Sequence, residues 1–131
     1  MKRFYLSAMI ILFIVPIVSI ADPIDNVADL IRLGNIRELA NIFAPSVGVT
    51  IFDEENTYTK SQAEVVLDKF FNQNKPKAVK ILHKILSNPN YKFGVAIVTT
   101  DRGAFRVAYT LKETNGSFLL IEMRIETEKV K

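Results

Sequence analysis

Residues 104–127 read AFRVAYTLKETNGSFLLIEMRIET, and this stretch decides the fold. Phe105, Val107, Tyr109 and Leu111 alternate with Arg106, Ala108, Thr110 and Lys112; beyond Asn115-Gly116 a second apolar set, Leu119, Ile121, Met123 and Ile125, alternates with Glu122, Arg124 and Glu126. A period of two on both sides of Asn-Gly is the pattern of an antiparallel hairpin with one buried face. Register matters, because a slip of one residue turns every side chain over. A two-residue turn at Asn115-Gly116 sets Val107 opposite Arg124 and Phe105 opposite Glu126, mixing apolar and charged groups. A three-residue loop with Gly116 left-handed removes the conflict, and this is the expected register: Phe105, Val107, Tyr109 and Leu111 opposite Ile125, Met123, Ile121 and Leu119.

The same loop at Asp101-Arg102-Gly103 brings Thr99, Ile97, Val95 and Phe93 onto the apolar face. An equivalent parity across Ser87–Asn90 adds Ile85, His83, Ile81 and Val79. One row across the inner face is then expected to read His83, Val95, Tyr109, Ile121. The outer face carries Lys80, Lys84, Arg106, Lys112, Glu122, Arg124 and Glu126. Four strands succeed one another from Lys77 onward, at 77–86, 92–99, 104–113 and 117–127.

Upstream, the periodicity changes from two to that of a helix. Asp22-Pro23 supplies an N-cap and a first-turn proline, Ile24, Val27, Leu30 and Ile31 recur at helical spacing, and Gly34 stops the run. Asn35 caps a shorter helix with Glu38 three residues on, and Pro45 ends it. Val47, Val49 and Ile51 alternate in a strand over 46–53, residues 54–56 turn, and 57–59 return. A third helix starts at Ser61, with Glu64 completing a capping box and Val66, Leu67, Phe70 and Phe71 as its buried stripe. The expected architecture is α+β: three N-terminal helices packed on a curved, mostly antiparallel sheet, in the order α-α-β-β-α-β-β-β-β.

The N-terminus has its own pattern. Lys2 and Arg3 precede an apolar run from Phe4 to Ile20, and Ser19 and Ala21 leave small residues before Asp22. This is the layout of a secretory signal peptide over residues 1–21, with cleavage expected after Ala21 and export to the periplasm or medium. The alternative is an uncleaved anchor, although the run falls short of the ~20 apolar residues of a spanning helix and contains Pro16. Residues 22–131 then form one domain of ordinary size. The chain has no cysteine, which excludes disulfides, thiol catalysis and cysteine-ligated metal. Its net charge of +3 includes Lys2 and Arg3, so the remaining domain carries about +1, too little for a nucleic-acid footprint.

The segment 34–45, Gly-Asn-Ile-Arg-Glu-Leu-Ala-Asn-Ile-Phe-Ala-Pro, resembles the second-helix segment of the nuclear transport factor 2-like superfamily, in which the chain leaves the helix through a Phe-Ala-Pro corner. The order of elements resembles that superfamily over about residues 23–127. Lys60–Phe71, Gly103–Val107 and Leu120–Glu126 resemble a group of small exported bacterial proteins of unknown function within it. The resemblance implies a cone of curved sheet closed by three helices. It implies little about activity, because the superfamily holds isomerases, dehydratases, cyclases, transport factors and non-catalytic domains. The enzymes place carboxylates, histidines or tyrosines in the cone, and the inner face expected here has no aspartate or glutamate.

The candidate chemistry is therefore sparse. His83, the only histidine, is a potential base or ligand-orienting donor, or else a partly buried ring satisfied by its neighbours. Tyr109 shares its row two strands away, at roughly 9–10 Å between backbones, and either converges with His83 or packs and satisfies its hydroxyl locally. A lone histidine without a carboxylate is a poor metal site, and no cofactor motif is present. Asp101-Arg102 and Asp53-Glu54-Glu55 read as turns. Arg106, Glu122, Arg124 and Glu126 form a mixed-charge patch, either a solvated ladder or a homodimer face. The leading reading is a non-catalytic exported domain that binds an apolar or amphipathic small molecule, or a protein segment, in a cone lined by His83, Tyr109, Phe70, Val95, Phe105, Val107, Ile121 and Met123. If Phe70, Phe71, Phe105 and Met123 instead fill the cone, the domain is an interaction module. The alternative is a dehydratase- or isomerase-type enzyme using His83 and Tyr109 as an acid–base pair.

Overall fold

The structure, a computed structural model, describes residues 22–129. The signal peptide expected over residues 1–21, with its expected cleavage after Ala21, lies outside the described residues. Helix α1 (Pro23–Arg32) starts from the expected cap, with the Asp22 carboxylate accepting from the Asp25 amide at 2.9 Å. Helix α2 (Ile36–Leu39) is capped by Asn35 and runs into a single 3-10 turn, Ala40–Ile42. Strands β1 (Phe43–Ile51) and β2 (Glu54–Thr59) form a hairpin, and helix α3 (Lys60–Gln73) comes directly after it. The meander is β3 (Pro76–Ile85), β4 (Tyr91–Thr100), β5 (Gly103–Thr114) and β6 (Ser117–Thr127).

All six strands join one sheet in the order β2-β1-β6-β5-β4-β3. Every pairing is antiparallel except β1 with β6. Helix α1 lies over β3 and β4, and α3 lies over β1 and β2. The expected α+β architecture, with three helices on one face of a curved sheet, is the observed one.

Local boundaries shift for physical reasons. Pro45 does not end a helix but sits within β1, where the β1–β6 ladder loses register between Phe43 and Gly48; a residue without an amide proton suits such an irregularity. The capping box of α3 is formed by Thr59 and Gln62, not Ser61 and Glu64: the Gln62 amide donates to the Thr59 hydroxyl, and the Thr59 amide donates to the Gln62 side chain. The β1–β2 turn is Phe52-Asp53, since Ile51 pairs with Glu54.

The larger correction concerns register. Thr114 pairs with Ser117, so Asn115-Gly116 is a two-residue turn, and both residues have positive φ, 52° and 86°. That is the geometry expected of a type I′ hairpin. The conflict between Val107 and Arg124 is relieved by a bulge instead of a longer loop: Thr110 pairs with Glu122 but Leu111 with Leu120, leaving Ile121 as the extra residue. Val107 thus faces Ile125, and Tyr109 faces Met123. Asp101-Arg102 is likewise a two-residue turn, so β4 presents its other face. Gly94, Ala96, Val98 and Thr100 line up with Tyr109, Val107, Phe105 and Gly103, and the expected inner set Phe93, Val95, Ile97 and Thr99 lies outside.

Candidate functional site

The row expected across the inner face is not assembled. A register shift between Ile81 and His83 leaves Leu82 as an extra residue in β3, so Val79 and Ile81 face the helices whereas His83 pairs with Val95 on the outer face. The inner row at that level reads Lys84, Gly94, Tyr109, Met123. His83 is exposed and Tyr109 is 1% exposed, on opposite faces of the sheet. The two do not converge as an acid–base pair.

Tyr109 satisfies its hydroxyl locally, donating to the main-chain oxygen of Ile24 at 2.8 Å. Burial, reinforced by the negative charges of Asp25, Asp22 and Asp29, holds its phenol well above the usual tyrosine range, so it stays protonated. Gly94 beside it admits α1 to the sheet: a Cβ there would lie 2.6 Å from Ile24 Cγ2 and 3.3 Å from Tyr109 Cε2. Lys84, expected on the outer face, instead reaches the N-terminus of α1, with Nζ 2.8 Å from Asp22 Oδ2 and 3.0 Å from Asp25 Oδ1. Partial burial alone would raise the Asp22 pKa, but the Lys84 and Asp25 hydrogen bonds and the Lys84 charge lower it overall. Hydrogen bonds from Lys84 to Asp22 and Asp25 raise the pKa of Lys84. These groups tie α1 to β3 and are committed to that contact.

Of the expected lining residues, Phe70, Phe105, Val107, Tyr109 and Met123 meet in one buried cluster. Phe70 makes edge contacts with Phe71 and Phe105, with centroids 5.1 and 5.2 Å apart. Val95 lies on the outer face, and Ile121 is the half-buried bulge residue. These five side chains thus belong to the hydrophobic core. Among the described residues, no group of three or more metal-ligating side chains comes together.

Among the described residues, two hollows lie along α3. One hollow of about 520 Å³ lies between β2 and the start of α3, lined by Asn56, Thr57, Tyr58, Ser61, Gln62, Val65 and Val66. A second, of about 400 Å³, continues past Val66 to Ile51, Phe52, Lys69, Phe70, Gln73 and Asn74. Both hollows border Val66, and together they mark a furrow-like strip between α3 and the β1–β2 hairpin. Val65 is 67% exposed on its wall. Phe52 is 46% exposed and has a φ of 58°, a left-handed backbone that bulky residues rarely adopt. Its ring lies 6.2 Å from that of Phe70 and 6.1 Å from that of Phe105, so a turn residue caps the aromatic core at the furrow. In sequence Phe52 reads as part of the strand over 46–53, and nothing in the periodicity gives its turn position or its backbone conformation.

The outer face has a smaller dimple of about 260 Å³, formed by Phe93, Ala108, Thr110, Glu122 and Arg124. Around it, Arg124 pairs with Glu126 at 2.8 Å and Arg106 with Glu128 at 3.0 Å.

A six-stranded curved sheet closed by helices at its N-terminal end is a nuclear transport factor 2-like cone. Within that class, the chain belongs to the family described as domain of unknown function DUF4783, whose model matches residues 24–126. A DUF4783 family protein from Bacteroides ovatus is similar in structure, with a TM-score of 0.76 and 22% identity over 79% of this chain and 94% of that one. One from Bacteroides uniformis gives a TM-score of 0.78 and 22% identity over 84% of this chain and 100% of that one. The designed protein Rd1NTF2_04 with a long sheet gives 0.63 and 15% identity over 77% and 94%. At such identities the likeness is one of fold. No curated protein matches the chain.

Proposed function

We propose that this is an exported, non-catalytic binding module, released by cleavage after Ala21, whose working surface is the furrow between α3 and the β1–β2 hairpin. The observation that carries this reading is the contrast between the buried side chains of the core and the exposed apolar side chains beside the hollows along α3. Tyr109, Met123 and Phe105 are buried in the core, whereas Val65 and Phe52 present apolar surface to solvent, beside half-buried Val66, at a concavity whose floor is the edge of Phe70. An acid–base mechanism through His83 and Tyr109 has no geometric support, because the two lie on opposite faces.

The test is a titration with N-phenyl-1-naphthylamine, an uncharged apolar probe, monitored by methyl NMR. Shifts at Ile51, Val65 and Val66 support the furrow. Shifts confined to Val107, Met123 and Ile125 move the site into the cone and overturn the reading, as does the absence of binding.

A second reading, of a homodimer through the outer face, is favoured by one observation. Phe93 and Ala108 line a dimple bordered by both charge signs, Glu122 and Arg124, and a twofold axis can pair each sign with its opposite. Sedimentation of the wild type against Arg124→Glu tests it: a dimer that the variant dissociates supports the face, and a monomeric wild type excludes it.

A further inference from the structure

The hollow at the β1–β2 turn has a composition that selects among ligands. Phe52, Phe70, Ile51 and Val66 supply an apolar floor and wall, and Gln73 and Asn74 supply neutral polar groups. The one charged side chain in this lining is Lys69. Asp53 adjoins Phe52 in the chain but does not line the hollow. Among the described residues Lys69 makes no ion pair, whereas Lys84, Arg32, Arg106 and Arg124 each have a carboxylate within 4 Å. An ammonium at the edge of an apolar hollow favours an anionic group whose attached body can cover the floor.

The second observation is independent. The Phe52 backbone is left-handed, a conformation that costs an L-residue roughly 1–2 kcal/mol. Glycine or asparagine is the ordinary occupant of such a turn position. The Phe52 amide donates to the main-chain oxygen of Ile125 at 2.9 Å, which anchors the turn to β6 while the ring leans over Phe70 and Phe105. A strained aromatic, nearly half exposed, beside a hollow marks a site where the ring is kept for what it contacts.

We propose that this hollow binds an amphipathic anion: an apolar or aromatic body seated against Phe52 and Phe70, with its carboxylate, sulfonate or phosphate on Lys69. This inference rests on the furrow being the working surface, and it adds the ligand class.

Two near-isosteric probes separate the two claims. 1-Anilinonaphthalene-8-sulfonate carries a sulfonate that N-phenyl-1-naphthylamine lacks. The wild-type domain is expected to bind the sulfonate about 1.5- to fivefold more tightly, the range of an exposed ion pair, with shifts at Ile51 and Val66. Lys69→Gln is expected to abolish that preference while leaving the neutral probe unaffected. Phe52→Gly, which relaxes the backbone, is expected to weaken both probes with the thermal midpoint retained. Equal affinities for the two probes in the wild type, or a preference that survives Lys69→Gln, overturn the anion assignment and leave the furrow standing. Unchanged binding by Phe52→Gly overturns the role of the ring. Failure of both probes to perturb the furrow overturns the furrow reading and the anion assignment with it.

Discussion

The Tyr109 hydroxyl donates to the main-chain oxygen of Ile24 at 2.8 Å, joining the centre of the sheet to the first turn of α1. The contact spans most of the chain and turns an inner-face tyrosine into a structural fastener. Tyr109→Phe removes the hydrogen bond and keeps the ring, so a loss of about 1 kcal/mol in denaturant unfolding at neutral pH is expected. The pH dependence supplies a second check. Because the folded-state pKa is raised above the ordinary 10.0, this group's contribution is intact below pH 10 and is lost as pH rises toward the folded value. The stability gap between wild type and variant therefore narrows above pH 10.

Gly94 is required by approach distance. Its missing Cβ leaves the space that Ile24 Cγ2 occupies, at 2.6 Å from the ideal Cβ position. Gly94→Ala is expected to cost about 1–3 kcal/mol by overpacking. Ile24→Ala alone costs about 2–5 kcal/mol as a cavity. Combined, they are expected to fall short of additivity by at least ~0.5 kcal/mol, because the second substitution makes room for the first. A fully additive double-mutant cycle in chemical denaturation would show that the helix does not press on Gly94.

Lys84 fastens the same helix electrostatically. Asp22 has a lowered pKa, so its contribution is present above the ordinary value of 3.8 and is lost as pH falls through the folded value. Lys84 has a raised pKa, so its contribution is present below 10.5 and is lost as pH rises through its folded value. Lys84→Met is thus expected to lower the thermal midpoint at pH 7, and the difference from wild type is expected to disappear as pH falls below 3.8 and through the folded value of Asp22. A difference that persists unchanged to the acid limit of the folded state would assign the effect to packing of the lysine stem.

The fold was legible because its signals are local and repeated. Asp22-Pro23, Gly34, Asn35 and four period-two runs each point to the same architecture. The inner face of β5 was legible, but the two-residue turn at Asp101-Arg102 turned β4 over and bulges altered the faces of β3 and β6. Parity carried correctly through Val79 and Ile81, then failed at Leu82, and it failed again at Ile121; in both strands one extra residue turns the remainder of the run over. Neither position has a glycine or proline to announce it. The Asn115-Gly116 pair did signal its two-residue turn, but an apparent clash between Val107 and Arg124 outweighed that signal when a bulge was the actual remedy. The furrow was invisible for a different reason. In sequence Val66 reads as part of a buried stripe and Phe52 as part of a strand, and the exposure of Val65 and Phe52 depends on where α3 lies over β1 and β2.

His83 illustrates the consequence of that reversal. An exposed side chain on the outer face contributes little to folding, so His83→Ala is expected to change stability by less than about 0.5 kcal/mol. It is also expected to leave binding of N-phenyl-1-naphthylamine unchanged. Loss of probe binding on this substitution would move the site to the outer face, since His83 and the furrow do not share a surface.

Gly116 isolates backbone conformation from packing. Its φ is 86°, and a Cβ added there would meet nothing within 4 Å. Gly116→Ala therefore introduces no clash and removes no contact; what changes is the energy of a left-handed backbone, expected to cost roughly 1–2 kcal/mol. Because Asn115 and Gly116 both have positive φ, the variant is under pressure to open the two-residue turn into a longer loop. Such an opening would shift β5 against β6 and bring Val107 toward the pairing that the Ile121 bulge now avoids. Amide hydrogen exchange distinguishes the outcomes. Slow exchange retained at Val107 and Ile125 means the turn absorbed the strain, while fast exchange confined to β6 means the register moved.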